Sequence, residues 1–370
     1  MSDNITKPKK EILNYINVFR GLAILLIVAG HTMQIGTKGS WINTISFEIV
    51  AGGTALFIFI SGFLFQHLSY KFEYKNYLKK KWTNVILPYI FTAIPGILLC
   101  FYVPAAYGNP FEGLNPITQI GVFLTTGRVH NVPTWFIPMI VLFFIFSYIL
   151  LYLEKKNILY KLLPFLFIIT ICIPRLDIEP EYVVNMDYLH KYFEYLKYVL
   201  SGFIHFTSMY VFGMYLSKYK EKIDIFYNYR LLFFILMIAT SCIDIYLNHD
   251  NILVNGTVSK MFLTVLVLAY LKHYDELIKS HVKINNLLDL AAKYSFGLFF
   301  VHWYFVFLFN QLFSIPKVIP VNNICQLLYA CSTATLRYLF VLIMSFIVLY
   351  SIKKILNKIK IENTRQFIGV

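Results

Sequence analysis

Charge is scarce in this sequence, and acidic charge scarcest. Only 14% of its 370 residues are Asp, Glu, Lys or Arg, and 19 acidic residues stand against 33 basic ones. So little charge, beside 58% hydrophobic and 18% aromatic residues and a mean hydropathy of +0.63, excludes a soluble globule of this length. It indicates a chain that crosses a bilayer several times. The five cysteines, Cys100, Cys172, Cys242, Cys325 and Cys331, lack the paired short spacings of zinc or redox sites. They read as small buried hydrophobes, and no metal is expected. Also missing are a low-complexity linker, an internal repeat of the kind many transporters carry, and a small-residue cleavage pattern behind the first apolar run. That run is therefore expected to stay as a helix. The formal net charge of +14 sits in short loops, without the aromatic interleaving of a nucleic-acid surface, so no nucleic-acid partner is expected.

What is present is a series of apolar stretches of about spanning length, near 16–36, 43–66, 85–104, 131–153, 159–174, 197–217, 230–247, 257–271, 293–313 and 327–351. They predict an all-α, polytopic membrane bundle of about ten helices. Lys and Arg concentrate in 1–15, 67–84, 154–161, 218–230, 272–293 and 352–370, which places those segments and both termini in the cytosol. The 104–130 loop, rich in Pro and Gly, and the acidic 175–195 loop then face outward. Neither is long enough for a domain, so 16–351 reads as one membrane unit between cytosolic segments 1–15 and 352–370.

Two polar side chains interrupt the first run. Arg20 and His31 are eleven residues apart, which brings them within roughly 20° of one helix face and about 16 Å apart along the axis. Ionisable groups inside a span are costly and mark a candidate site, although Arg20 can also snorkel to headgroups. The second run ends in Phe57-Ile58-Phe59-Ile60-Ser61-Gly62-Phe63, and the ninth carries Ser295-Phe296-Gly297 ahead of His302-Trp303. Gly62, Ser295 and Gly297 suit close helix packing, whereas His302 must find a polar partner or a wet cavity. Glu48 can orient His31 or sit among headgroups. Asp244, His205 and Arg337 read as paired or interfacial. Asn255-Gly256-Thr257 matches a glycosylation triplet that is common by chance.

Taken in order, these pieces resemble membrane acyltransferase family 3, the O-acetyltransferase type that modifies cell-surface glycans. The likeness rests on Arg20 and His31, on Ser61-Gly62-Phe63, on the Lys-rich approach to Pro88-Tyr89, on Trp135-Phe136, and on the run ending at His302-Trp303. It departs where the family often has two arginines three apart, since Lys81 and Asn84 stand there. The resemblance implies an integral membrane O-acyltransferase. It would carry an acyl group, acetyl foremost, from cytosolic acyl-CoA to a hydroxyl of a cell-surface carbohydrate. The donor phosphates would meet Lys79, Lys80 and Lys81, as point charges without arginine's planar fork.

Transfer from a thioester to a hydroxyl needs a base or a nucleophile, and donors for the oxyanion. His31 suits the base, since an unperturbed imidazole, with a pKa of about 6.5, is largely neutral at pH 7. Arg20 is its expected catalytic companion, with Ser61, Lys81, Trp135 and His302 as substrate-binding residues. No tightly bound cofactor is expected. The rival reading is a glycan or lipid-linked sugar transporter or flippase. A third is a membrane protein handing acyl groups to a separate extracytoplasmic partner enzyme. Richness in Ile, Lys, Asn and Tyr suits an AT-rich bacterial genome, and the expected location is the bacterial plasma (inner) membrane.

Overall fold

A computed structural model describes residues 13–37, 39–104, 109–128, 134–173, 186–249, 257–313, 319–361 and 363–370. The glycosylation triplet lies largely outside them. Among the described residues there are helices and no strands. The chain forms α1 (Asn14–Thr32), α2 (Trp41–Val50), α3 (Gly53–His67), α4 (Tyr74–Lys81), α5 (Leu87–Tyr102), α6 (Pro116–Thr126), α7 (Phe136–Lys155) and α8 (Leu163–Cys172). It continues through α9 (Tyr188–Lys218), α10 (Lys222–Asn228), α11 (Arg230–His249), α12 (Thr257–His273), α13 (Asp275–Ser280), α14 (Val282–Phe313), α15 (Ile324–Lys358) and α16 (Arg365–Ile368).

Among the described residues, eight spans, with α2–α3 and α4–α5 each counted as one, are long and apolar enough to cross a membrane. The two other expected spans are shorter helices, α8 and α12. The protein is a polytopic helical bundle.

Two of the spans are broken, and each break has a local cause. The 43–66 run, expected as one helix, divides at Ala51-Gly52, where Gly52 adopts φ +96°. A Cβ at Gly52 would also lie 2.4 Å from the Lys260 side chain, so both conformation and space demand glycine. The third span bends differently: a π-helical turn, Trp82–Ile86, joins α4 to α5. Pro88 has no N–H to offer the carbonyl of Asn84, and the wider turn accommodates that missing bond.

Close approach of backbones holds the centre together, as expected where lipid tails give helices no hydrophobic reason to associate. At the crossing of α3 and α9, a Cβ on Gly62 would lie 2.0 Å from the Tyr210 carbonyl oxygen, and one on Gly213 would lie 2.1 Å from that of Phe59. Gly21 brings α1 equally near α14, 2.4 Å from the Leu288 oxygen. Aromatic rings fill the remaining gaps: Phe143 stacks on Tyr210 with centroids 4.5 Å apart, and Phe19 meets Phe59 at 6.2 Å. Cysteine placement corrects the sequence-based expectation. Cys100 is buried, but Cys172, Cys242, Cys325 and Cys331 lie on the outside of the bundle. In a membrane protein an apolar thiol satisfies lipid as well as core.

Replacing Gly62 with Val should therefore cost about 2 kcal/mol or more, read as a lower melting temperature of the purified protein in detergent. Gly121→Ala is the contrast. Nothing lies within 4 Å of a Cβ there, and the change should be neutral or mildly stabilising.

Candidate functional site

Helix α1 runs unbroken from residue 14 to residue 32, so the pitch that aligns Arg20 with His31 holds throughout. Yet the two side chains have different surroundings. His31 lines a cavity of about 160 Å³, together with Gln34, Gly52, Gly53, Trp135 and Phe299. The His302 ring lies beside that of His31 with centroids 5.3 Å apart, and Trp303 meets the same imidazole edge-on at 5.0 Å. Fully buried, His302 donates from Nδ1 to the Leu298 carbonyl at 2.9 Å. That bond fixes the tautomer and leaves Nε2 as an acceptor with no partner among the described residues. Three of the six expected site residues, His31, Trp135 and His302, are thus gathered at one place.

The break between α2 and α3 gives this chamber its second reactive feature. The start of α3 forms part of the cavity wall, through Gly52, Gly53 and Thr54, and no side chain caps its first N–H groups. An uncapped helix start presents donors and the positive end of the macrodipole, the combination that stabilises an anion. An imidazole and such a helix start in one cavity of this size can together handle a proton and a developing oxyanion. Opposite them, Trp135 packs edge-on to Tyr198 at 5.4 Å, and the Arg128 guanidinium lies 4.5 Å from the centre of the Tyr198 ring. Two nitrogens of Arg128 have no hydrogen-bond partner among the described residues.

Arg20 and Lys81 lie at the other end of the bundle. Arg20 donates to Asn17 at 3.1 Å, Asn17 in turn donates to Asp289 at 2.5 Å, and the charge of Asp289 also reaches Arg20. The Lys81 ammonium rests over the rings of Phe144, at 4.4 Å, and Tyr77, at 5.1 Å. Arg365 lies within electrostatic range of both Arg20 and Lys81. Beside them opens a groove of about 370 Å³ lined by Asn76, Lys79, Lys80, Thr83, Asn84 and Asn363.

Ser61 belongs to this basic end rather than to the His31 chamber. Phe59 meets Phe19 and Phe63 meets Tyr15, so residue 61 lies level with the stretch of α1 around Arg20. Its hydroxyl donates to the Phe57 carbonyl at 2.8 Å. Between the two ends, Phe136 and Phe299 line the His31 cavity and meet ring to ring at 5.2 Å.

Other polar groups in the spans are engaged structurally. Glu48 does not turn to His31. Its Oε1 accepts from Lys260 at 2.8 Å, Ser259 at 2.7 Å and Ser241 at 2.9 Å, in a buried cluster with Asp244. His205 donates to the Ile173 carbonyl at 2.8 Å and accepts from Thr257 at 2.7 Å. Arg337 lies 5.6 Å from the Phe309 ring centre.

Sequence reasoning did not single out Gly52-Gly53, Arg128 or Arg365. The Gly-Gly pair in an apolar run was a readable signal of a break. Arg128 and Arg365 carried none, because only the fold brings Arg128 to Tyr198 and Arg365 to Arg20 and Lys81.

Among known families, the model of an acyltransferase domain, acyltransferase family 3, matches residues 13–354. No curated protein and no solved structure matches the chain.

The buried Glu48–Lys260 pair supports the Gly52 bend from behind, which makes it a test of the site's scaffold. Lys260→Met alone should destabilise the protein by about 3–5 kcal/mol, because it strands the carboxylate. Pairing it with Glu48→Met should recover most of that loss, as measured by thermal melting in detergent.

Proposed function

Since the chain belongs to acyltransferase family 3, and is thus a multi-pass membrane acyltransferase, we propose that it is an O-acyltransferase of the bacterial plasma membrane. In this reading it moves an acyl group, acetyl foremost, from acyl-CoA to a hydroxyl of a cell-surface carbohydrate. The observation that carries the proposal is the chamber where His31 faces the uncapped start of α3. The basic end, with Arg20 and Lys81, is cytosolic and receives the donor. A donor whose thioester hangs on a long flexible arm suits two chambers separated by about 16 Å, the spacing of Arg20 and His31 along α1.

The reaction needs few parts. Imidazole nitrogen of His31 accepts the proton of the acceptor hydroxyl as that oxygen attacks the thioester carbonyl carbon. The resulting oxyanion is stabilised by the first N–H groups of α3. The carbon–sulfur bond then breaks, and the His31 proton passes to the departing thiolate, which leaves as free CoA beside the new ester. His302, packed against His31, positions the imidazole. Trp135 offers its aromatic face to the pyranose or furanose ring of the acceptor, and Ser61, level with Arg20, borders the donor path. No tightly bound cofactor takes part, and a separate extracytoplasmic partner enzyme belongs to the rival reading in which the acyl group is handed on.

Replacing His31 with Ala, at unchanged membrane levels, should lower ester formation about 10²- to 10⁴-fold, measured as the acyl mass increment on purified cell-surface glycan. Undiminished acylation would refute its role as base. Arg20→Lys keeps the charge but loses the planar fork, and should raise the KM for acetyl-CoA about tenfold. In proteoliposomes with labelled acyl-CoA, label on the acceptor supports the enzyme. Movement of unlabelled acceptor would instead support a carrier.

A further inference from the structure

The family match ends at residue 354, yet the chain beyond it turns back into the bundle. Thr364 is buried, and its hydroxyl donates to the Val370 carbonyl at 2.5 Å, folding 364–370 into a compact hook. The Phe367 ring meets Phe91 of α5 at 5.0 Å. Gly369, at φ +73°, lies against Phe296 and Gly297 of α14. A Cβ at Gly297 would come within 2.8 Å of the Ile368 carbonyl oxygen, so the close seat of the hook depends on glycine there. Ile368 and Val370 are buried.

This anchoring holds Arg365 in place. Its side chain is exposed, and it acts electrostatically on Arg20 and on Lys81, both half-buried. Asn363, two residues away, lines the basic groove beside Asn84, Lys79 and Lys80. Three cations converge here. Among the described residues, Asp289 is the carboxylate that acts on Arg20, and its Oδ1 already accepts from Asn17. Like charges held together at the rim of a low-dielectric bundle repel one another, and an anion of more than one charge relieves that cost. Guanidinium groups offer paired N–H donors that match phosphate oxygens, which the lysines do not.

We infer that Arg365 is a donor-binding residue, which joins Arg20 and Lys81 in holding a phosphate of the acyl-CoA. The hook of residues 363–370 is then one wall of the donor site. This inference rests on the acyl-CoA reading above, and its test separates the two.

The purified protein in detergent is assayed with acetyl-CoA and with S-acetylpantetheine, which has the same thioester but no phosphate. CoA binding is followed separately by calorimetry. Arg365→Gln should raise the KM for acetyl-CoA about tenfold relative to the KM for S-acetylpantetheine, and weaken CoA binding by a similar factor. Arg365→Lys should recover part of both. Equal loss on the two donors, with CoA affinity unchanged, would make Arg365 a structural residue and overturn the inference. No change on either donor would overturn it as well. A wild-type protein that neither binds CoA nor uses acetyl-CoA would bring down the donor assignment itself, and the inference with it.

Discussion

Inside a bilayer a polar group has no water to fall back on, so each must be tied to the protein or open on a chamber that admits solvent or substrate. That constraint organises this molecule. Glu48, Lys260, Ser241 and Ser259 tie one another down, and His205 spends both ring nitrogens on its neighbours. Once those are set aside, two groups of polar side chains stand out among the described residues: His31 on its small cavity near one end of α1, and Arg20, Lys81 and Arg365 near the other.

The separation of these two places has chemical consequences. In the proposed reaction, charged groups of the donor gain from the basic end, where the groove is open and rich in Asn, Lys and Thr. In that same proposal, bond making gains from the small His31 chamber, where fixed dipoles act in a low dielectric. Phe136 and Phe299 stand in the wall of that chamber, so a reactive thioester entering from the basic end would be shielded from bulk water. Helix packing on glycine makes the arrangement stiff. The α3–α9 crossing at Gly62 and Gly213 and the α1–α14 contact at Gly21 leave little freedom for the elements that carry His31 and His302.

Helix interruptions are where the fold and the chemistry meet. Gly52 turns a single apolar run into two helices, and the resulting helix start lines the same cavity as His31, Gln34 and Phe299. The π-helical turn before Pro88 stands next to Lys81, and the hook of 363–370 packs on the helix that follows it. In each case a local departure from the α-helix supplies backbone or side-chain positions that an unbroken span could not.

Much of this was legible in the sequence. Apolar runs of spanning length identify a membrane bundle because the bilayer imposes that length, and the Arg20–His31 spacing follows from helix pitch alone. His31, Trp135 and His302 do meet, while Lys81 and Ser61 lie at Arg20's end. Periodicity could not reveal that Arg20 and His31 have separate surroundings, because alignment on a helix says nothing about what packs between two levels. Nor could it show that Glu48 is claimed by Lys260, some two hundred residues away, or that Arg365 returns to the basic end from beyond the last span. Local sequence determines hydrophobic length, helix phase and where glycine permits a break. Which polar groups share a chamber depends on contacts between distant helices, and these only the tertiary structure decided.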